Sequence, residues 1–101
     1  MFVIVWEFRV KHDRLAEFKD AYKPGGTWAQ LFHKASGFVE TELLRDSDER
    51  TRFFTIDKWN SRDEYDAFRA KYDSEYLAID ARMEKLTDFE EQVGVFETIE
   101  G

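Results

Sequence analysis

The chain has 101 residues, no cysteine and a formal net charge of −7, with 22 acidic against 15 basic side chains. Disulfides, thiolate nucleophiles and cysteine-based zinc sites are excluded, and so few clustered Lys and Arg argue against nucleic acid or an acidic membrane surface as partner. No apolar run approaches the roughly 18 residues of a spanning helix, and no secretory leader pattern opens the chain, so a soluble cytoplasmic protein is expected.

Ten Phe, four Tyr and three Trp make 17% of the chain aromatic. That is a large aromatic area for one small core. It predicts an interface between identical copies, a pocket for a flat ligand, or both.

The opening "MFVIVWEFRV" alternates. Phe2, Ile4, Trp6, Phe8 and Val10 share one face, and Val3, Val5, Glu7 and Arg9 the other, which predicts a strand. Asp13 is positioned to cap a helix carrying Leu15, Phe18 and Tyr22, which "KPGG" (23–26) ends. Thr27 and Gln30 form a capping-box pattern ahead of Trp28, Leu31, Phe32 and Ala35, with Gly37 placed to stop that second helical piece. "FVETELLRD" (38–46) and "TRFFTIDKW" (51–59) read as a hairpin around "SDER" (47–50). Ser61 and Glu64 repeat the capping box before Tyr65, Phe68 and Tyr72. A further helical stretch covers 74–86, with Ile79, Met83 and Leu86 on one stripe, and a last strand covers 89–99, where Gly94 marks a bulge or a close backbone approach.

The order strand, helix, strand, strand, helix, strand in one domain, residues 1–101, predicts an α+β, ferredoxin-like, four-stranded antiparallel sheet with its helices on one face. The bare face calls for a partner, and a second copy stacked sheet to sheet would cover it.

With that order in place, "GFVETELLRD" (37–46) and "RFFTIDKWNSRDEYDAF" (52–68) resemble the antibiotic biosynthesis monooxygenase superfamily: a glycine entering a strand, a hairpin, and a strand closing on Trp-x-Ser before a helix. The resemblance spans nearly the whole chain. It implies a homodimeric alpha/beta barrel with one pocket per subunit between sheet and helices. Activities in the superfamily include cofactor-independent oxygenation of polyphenolic or anthrone-like molecules and haem degradation.

Candidate residues carry two readings each. Trp59 matches the strand-end tryptophan that lines the pocket in active relatives, where its indole could position a ring and steady an oxyanion; otherwise it plugs the helix–sheet junction. His33 is the better placed histidine to take a proton from a phenol or an activated C–H, giving an anion that reacts with oxygen without metal or flavin; otherwise it is a surface residue near a helix end. Asp57 shares strand parity with Thr55 and Trp59 and could act in the same chemistry. Trp28, Phe32, Tyr65 and Glu7 are candidates for holding the substrate, although Glu7, Arg9, Asp57 and Lys58 could instead form an ion-pair network.

No metal-ligand spacing, phosphate loop or serine-nucleophile motif stands in the chain, and no cofactor is expected. The haem-degrading branch is a poor match: its first-strand asparagine corresponds to Glu7, and its ligand region, "SEYLAIDARMEKL", holds no histidine. The expected function is cofactor-independent oxygenation of a small aromatic or polyketide-like molecule. The alternative is a non-catalytic dimeric barrel that binds a small hydrophobic ligand, with a haem-binding relative behind both.

Overall fold

A computed structural model describes residues 1–101. The elements are β1 (Phe2–Val10), α1 (Leu15–Tyr22), α2 (Thr27–Phe32), β2 (Phe38–Arg45), β3 (Arg52–Trp59), α3 (Arg62–Lys71), α4 (Asp73–Met83), a 3-10 turn (Glu84–Leu86) and β4 (Thr87–Glu97). The strands form one antiparallel sheet in the order β2-β3-β1-β4. This is the ferredoxin-like arrangement expected from the alternation of elements.

Register decides which side chains share a face, because directly opposed residues point the same way. Ile4 opposes Asp57 and Trp6 opposes Thr55, while Thr41 also opposes Asp57 from the other side. These residues, with Phe2, Phe8, Phe53 and Trp59, belong to the helix-covered face. Glu7 opposes Phe54, and Val5 opposes Ile56; they share the other face with Phe89 and Phe96 of β4, opposite Arg9 and Val3.

Local chemistry explains most boundaries. Ser61 accepts a 3.2 Å hydrogen bond from the Glu64 N–H, so the expected cap of α3 forms. Two other expected caps do not. Arg14, not Asp13, precedes α1, with no side-chain cap. Thr27 is itself the first helical residue of α2, behind Gly26, and Gln30 reaches back to the Gly25 carbonyl at 3.1 Å instead.

The reason lies in how α1 meets α2. A Cβ on Gly26 would stand 2.4 Å from the Asp20 carbonyl oxygen and 2.7 Å from that of Ala21. Only glycine lets the two backbones approach so closely, and that contact sets where α2 begins.

The terminal strand begins and ends two residues earlier than its hydrophobic pattern predicts, and its pairing with β1 shifts register between Val5 and Trp6. Val5 opposes Gly94 and Trp6 opposes Gln92, so Val93 is the extra residue of a bulge beside the glycine.

One continuous core joins the sheet to the helices. It has two aromatic centres. Phe18 of α1 stacks on Tyr22 at 4.2 Å and meets Phe8 and Phe53 at 5.2 and 5.0 Å. Phe32, Phe38, Tyr65 and Phe68 surround Trp59 with ring centroids 5.0–5.6 Å away. Helices α3 and α4 each bury a single residue, Phe68 and Met83, with Tyr65, Tyr76 and Ile79 packed half-buried against the core. No helix is long and apolar enough to cross a membrane.

Candidate functional site

Between the two aromatic centres a cavity of about 40 Å³ remains. Its floor is the sheet, where Thr41, Thr55 and Asp57 from β2 and β3 are all buried. Trp6 and Phe8 of β1 form one wall; Tyr22 of α1 with Trp28 and Phe32 of α2 form another. Tyr76 and Asp80 of α4 and Glu90 of β4 complete the lining at the less buried side. The space holds only a few waters, so a ring system would require the rim residues of α4 to swing outward.

Asp57 is the chemical centre of this cavity. One carboxylate oxygen accepts a 2.8 Å hydrogen bond from the Thr41 hydroxyl, and no cation pairs with it. Burial disfavours the charged form and pushes the Asp57 carboxyl up to about 6; the Thr41 bond pulls in the opposite direction without cancelling it. A carboxyl in this range can accept and return a proton near neutral pH.

Tyr22, Tyr76 and Glu90 of the lining are shifted the same way. Burial raises the phenols of Tyr22 and Tyr76, keeping both as neutral hydrogen-bonding groups. Glu90 is raised by burial and by the neighbouring Asp80 and Glu84 carboxylates. The Trp28 indole N–H is sealed from solvent and makes no well-formed hydrogen bond, although it stands close enough to the Tyr22 hydroxyl to oppose part of the rise of that phenol. Tyr76 is held between Trp28, 4.9 Å away, and the Arg69 guanidinium, 3.7 Å from its ring centroid.

The expected site residues divide sharply. Asp57, Trp28 and Phe32 line the cavity together. Trp59 does not. It is 0% exposed, and its ring meets Phe32 edge-on at 5.6 Å, with Phe32 rather than Trp59 contributing to the cavity wall. Trp59, expected to wall the pocket, stands behind this cavity instead, among Phe32, Phe38, Tyr65 and Phe68, with its N–H buried without a partner. Tyr65 also stands outside, packed on Trp59 and Phe2 at 5.2 and 5.8 Å.

His33 is exposed, packs edge-on against Phe38 at 4.8 Å, and borders a shallow groove along β2 instead of the Asp57 cavity. Glu7 lies on the opposite sheet face, where it accepts a 2.8 Å hydrogen bond from Arg52. Ion pairs do form there, and Glu7, Arg9 and Lys58 take part as expected, though each with a partner outside that set. Arg52 joins Glu7 and Asp46, Lys58 joins Glu40 and Glu42, Arg9 meets Glu49, and Asp57 takes no part. Asp80 and Glu90 were not foreseen as site residues, because single acidic residues in an acidic chain carry no pattern of their own. Thr41 had a signal only through register, as the residue opposite Asp57.

Comparison with known proteins fits this geometry. The family model described as antibiotic biosynthesis monooxygenase matches residues 1–74. The chain belongs to this family. The matched antibiotic biosynthesis monooxygenase segment carries Asp57, Thr41, Thr55 and the aromatic walls from β1, α1 and α2, and ends just before Tyr76.

Two solved structures of SnoaB, a cofactor-independent oxygenase from Streptomyces nogalater, are similar to this chain. A variant of it is 24% identical with a TM-score of 0.82, and the second structure is 25% identical with a TM-score of 0.80; each comparison covers 99% of this chain and 94% of SnoaB. A protein from Nitrosomonas europaea, provisionally named an antibiotic biosynthesis monooxygenase, is 20% identical with a TM-score of 0.75, covering 99% of this chain and all of its own. No curated protein matches the sequence.

Proposed function

We infer that the protein is a cofactor-independent monooxygenase that oxidises a small aromatic or polyketide-like molecule in the Asp57 cavity. The observation that carries this reading is the buried, unpaired carboxyl of Asp57, raised to about 6, on the floor of an aromatic chamber. Similarity to a cofactor-independent oxygenase at 25% identity supports it.

Asp57 takes the proton from a phenol or an activated ring methylene. The resulting anion passes an electron to dioxygen, and recombination forms a carbon–oxygen bond as a peroxide. Protonated Asp57 returns its proton to the peroxide. Loss of the second hydrogen with the departing water leaves a carbonyl on the ring, so one oxygen atom enters the product and the other leaves as water. Trp28 and Phe32 form one wall against the ring, and the neutral phenols of Tyr22 and Tyr76 donate to the developing oxyanion. Thr41 holds the carboxylate of Asp57 in place. Trp59 supports Phe32 from behind, and His33 and Glu7 play no direct part.

The face bearing Val5, Phe54, Ile56, Phe89 and Phe96 is the surface on which a second copy would stack to form the dimeric barrel. Sedimentation would then give a dimer.

Oxygen uptake with an anthrone or dihydroxyaromatic substrate tests the chemistry. Asp57→Asn is expected to lower the rate by about 10²–10⁴-fold while keeping the folded far-ultraviolet spectrum. Full activity in that variant would refute the role of Asp57, and absence of turnover with intact ligand binding would favour the non-catalytic ligand-binding barrel.

A further inference from the structure

Proton abstraction needs one carboxyl, yet the cavity has three. Asp57, Asp80 and Glu90 all contribute to its lining, and no Lys, Arg or His does. None of the three forms an ion pair, whereas Glu7, Asp46, Glu40 and Glu42 on the strands all find Arg52 or Lys58. Asp80 and Glu90 repel each other at the rim, and no ion pair relieves them from within the chain.

Most of the remaining wall is aromatic, and the negative faces of Trp, Tyr and Phe rings attract cations when water is excluded. Rings together with carboxylates are the two groups that best stabilise a partly desolvated ammonium. The carboxylates do not converge closely enough, with one another or with any histidine, to hold a metal ion. An organic cation, whose charge sits on a larger body, fits that spread.

The Trp28 indole is a second, independent sign of a missing ligand. Trp28 is only 7% exposed and lines the cavity; its N–H, like that of Trp59, makes no well-formed hydrogen bond, but of the two indoles only Trp28 borders the open space, beside the Tyr22 hydroxyl. A buried donor in this state is unfavourable until an acceptor arrives, and an oxygen substituent on a bound ring would supply one.

We propose that the cavity takes a flat aromatic molecule bearing a protonated amine, with the ring laid against Trp28 and Phe32 and the ammonium directed to Asp80 and Glu90, and that it rejects aromatic carboxylates. The proposal rests on the same cavity as the oxygenase reading and specifies the charge of its substrate. The acidic rim would also hold an ammonium away from Asp57, leaving that carboxyl free for the proton.

The test is binding by the full chain, read from tryptophan fluorescence or calorimetry at neutral pH, with three probes of one shape: 1-naphthylmethylamine, 1-naphthalenemethanol and 1-naphthoate. The amine is expected to bind about tenfold tighter than the alcohol, and the carboxylate weaker than either. The paired change Asp80→Asn with Glu90→Gln should bring the amine to within about threefold of the alcohol, leaving the alcohol itself nearly unchanged. Neutralising two exposed carboxylates elsewhere, Asp66→Asn with Glu75→Gln, should leave the preference intact.

The proposal fails if the amine shows no advantage, if none of the probes binds, or if the remote pair abolishes the preference as fully as the rim pair. Because these readouts are equilibrium affinities, they stand apart from oxygen uptake. Charge selection without turnover would overturn the oxygenase reading alone, and turnover of neutral and anionic rings without charge selection would overturn this proposal alone.

Discussion

Trp59 and Asp57 stand two residues apart on the same face of β3, yet one ends in a filled core and the other in a cavity. Around Trp59 the helices present Phe32, Tyr65 and Phe68, large rings that meet a large indole and leave no space. Around Asp57 the sheet presents Thr41 and Thr55, which are too short to reach the helical layer above. Over that part of the sheet Tyr22 of α1, Trp28 and Phe32 of α2, and Tyr76 and Asp80 of α4 stand around the gap without filling it. Side-chain length on the strand, set against the side chains that the helices present above it, decides where a pocket opens.

The comparison is broken most severely at the filled end. Trp59→Ala should destabilise the fold by about 3–5 kcal/mol, measured by urea denaturation. Retention of nearly full stability would mean that the indole is not the keystone of the second aromatic centre.

At the open end the largest effect is on pH dependence. Asp57 is raised from 3.8 to about 6 on folding, so the native state holds its proton more tightly than the unfolded chain. The carboxyl costs nothing below pH 3.8, and stability is lost as pH rises through about 6. The loss amounts to about 3 kcal/mol at neutral pH. Asp57→Asn should remove this component, so that the variant gains on the wild type between pH 4 and pH 7.5 in paired urea titrations. Parallel curves would place Asp57 in a wetter environment.

Thr41→Val sharpens the same point. Without the hydroxyl that lowers it, the Asp57 carboxyl should rise further, moving the acid limb of the activity profile upward by roughly half a pH unit to one unit. The smallest effect belongs to His33→Ala. An exposed histidine on the β2 groove should change stability by no more than about 0.5 kcal/mol and leave that acid limb in place; a shift of the profile would return His33 to the chemistry.

Much of the fold was legible because its signals are local. The alternation of Phe2, Ile4, Trp6 and Phe8, the Ser61 cap and the turn before β3 each bind a few neighbouring residues to one geometry. Where the reading failed, a contact distant in sequence had intervened. The close approach at Gly26 displaced the expected cap from Thr27, and pairing with β1 set the limits of β4.

The site was legible only by half. Strand parity placed Asp57 and Thr55 on one face, and the periodicity of α2 joined Trp28 to Phe32. Parity also grouped Trp59 with Asp57, correctly as to face and misleadingly as to environment. Glu7 was misplaced because polarity suggested a common face, whereas register assigns it to the side of Phe54 and Arg52.

The sequence by itself determined the elements, their order and the apolar character of the covered sheet face, since these follow from periodicity, capping and chain connectivity. Only the tertiary structure decided which polar residues stand in a cavity and which in an ion-pair network. That distinction depends on register between strands and on which helix roofs them. Neither quantity is encoded in any one stretch of the chain.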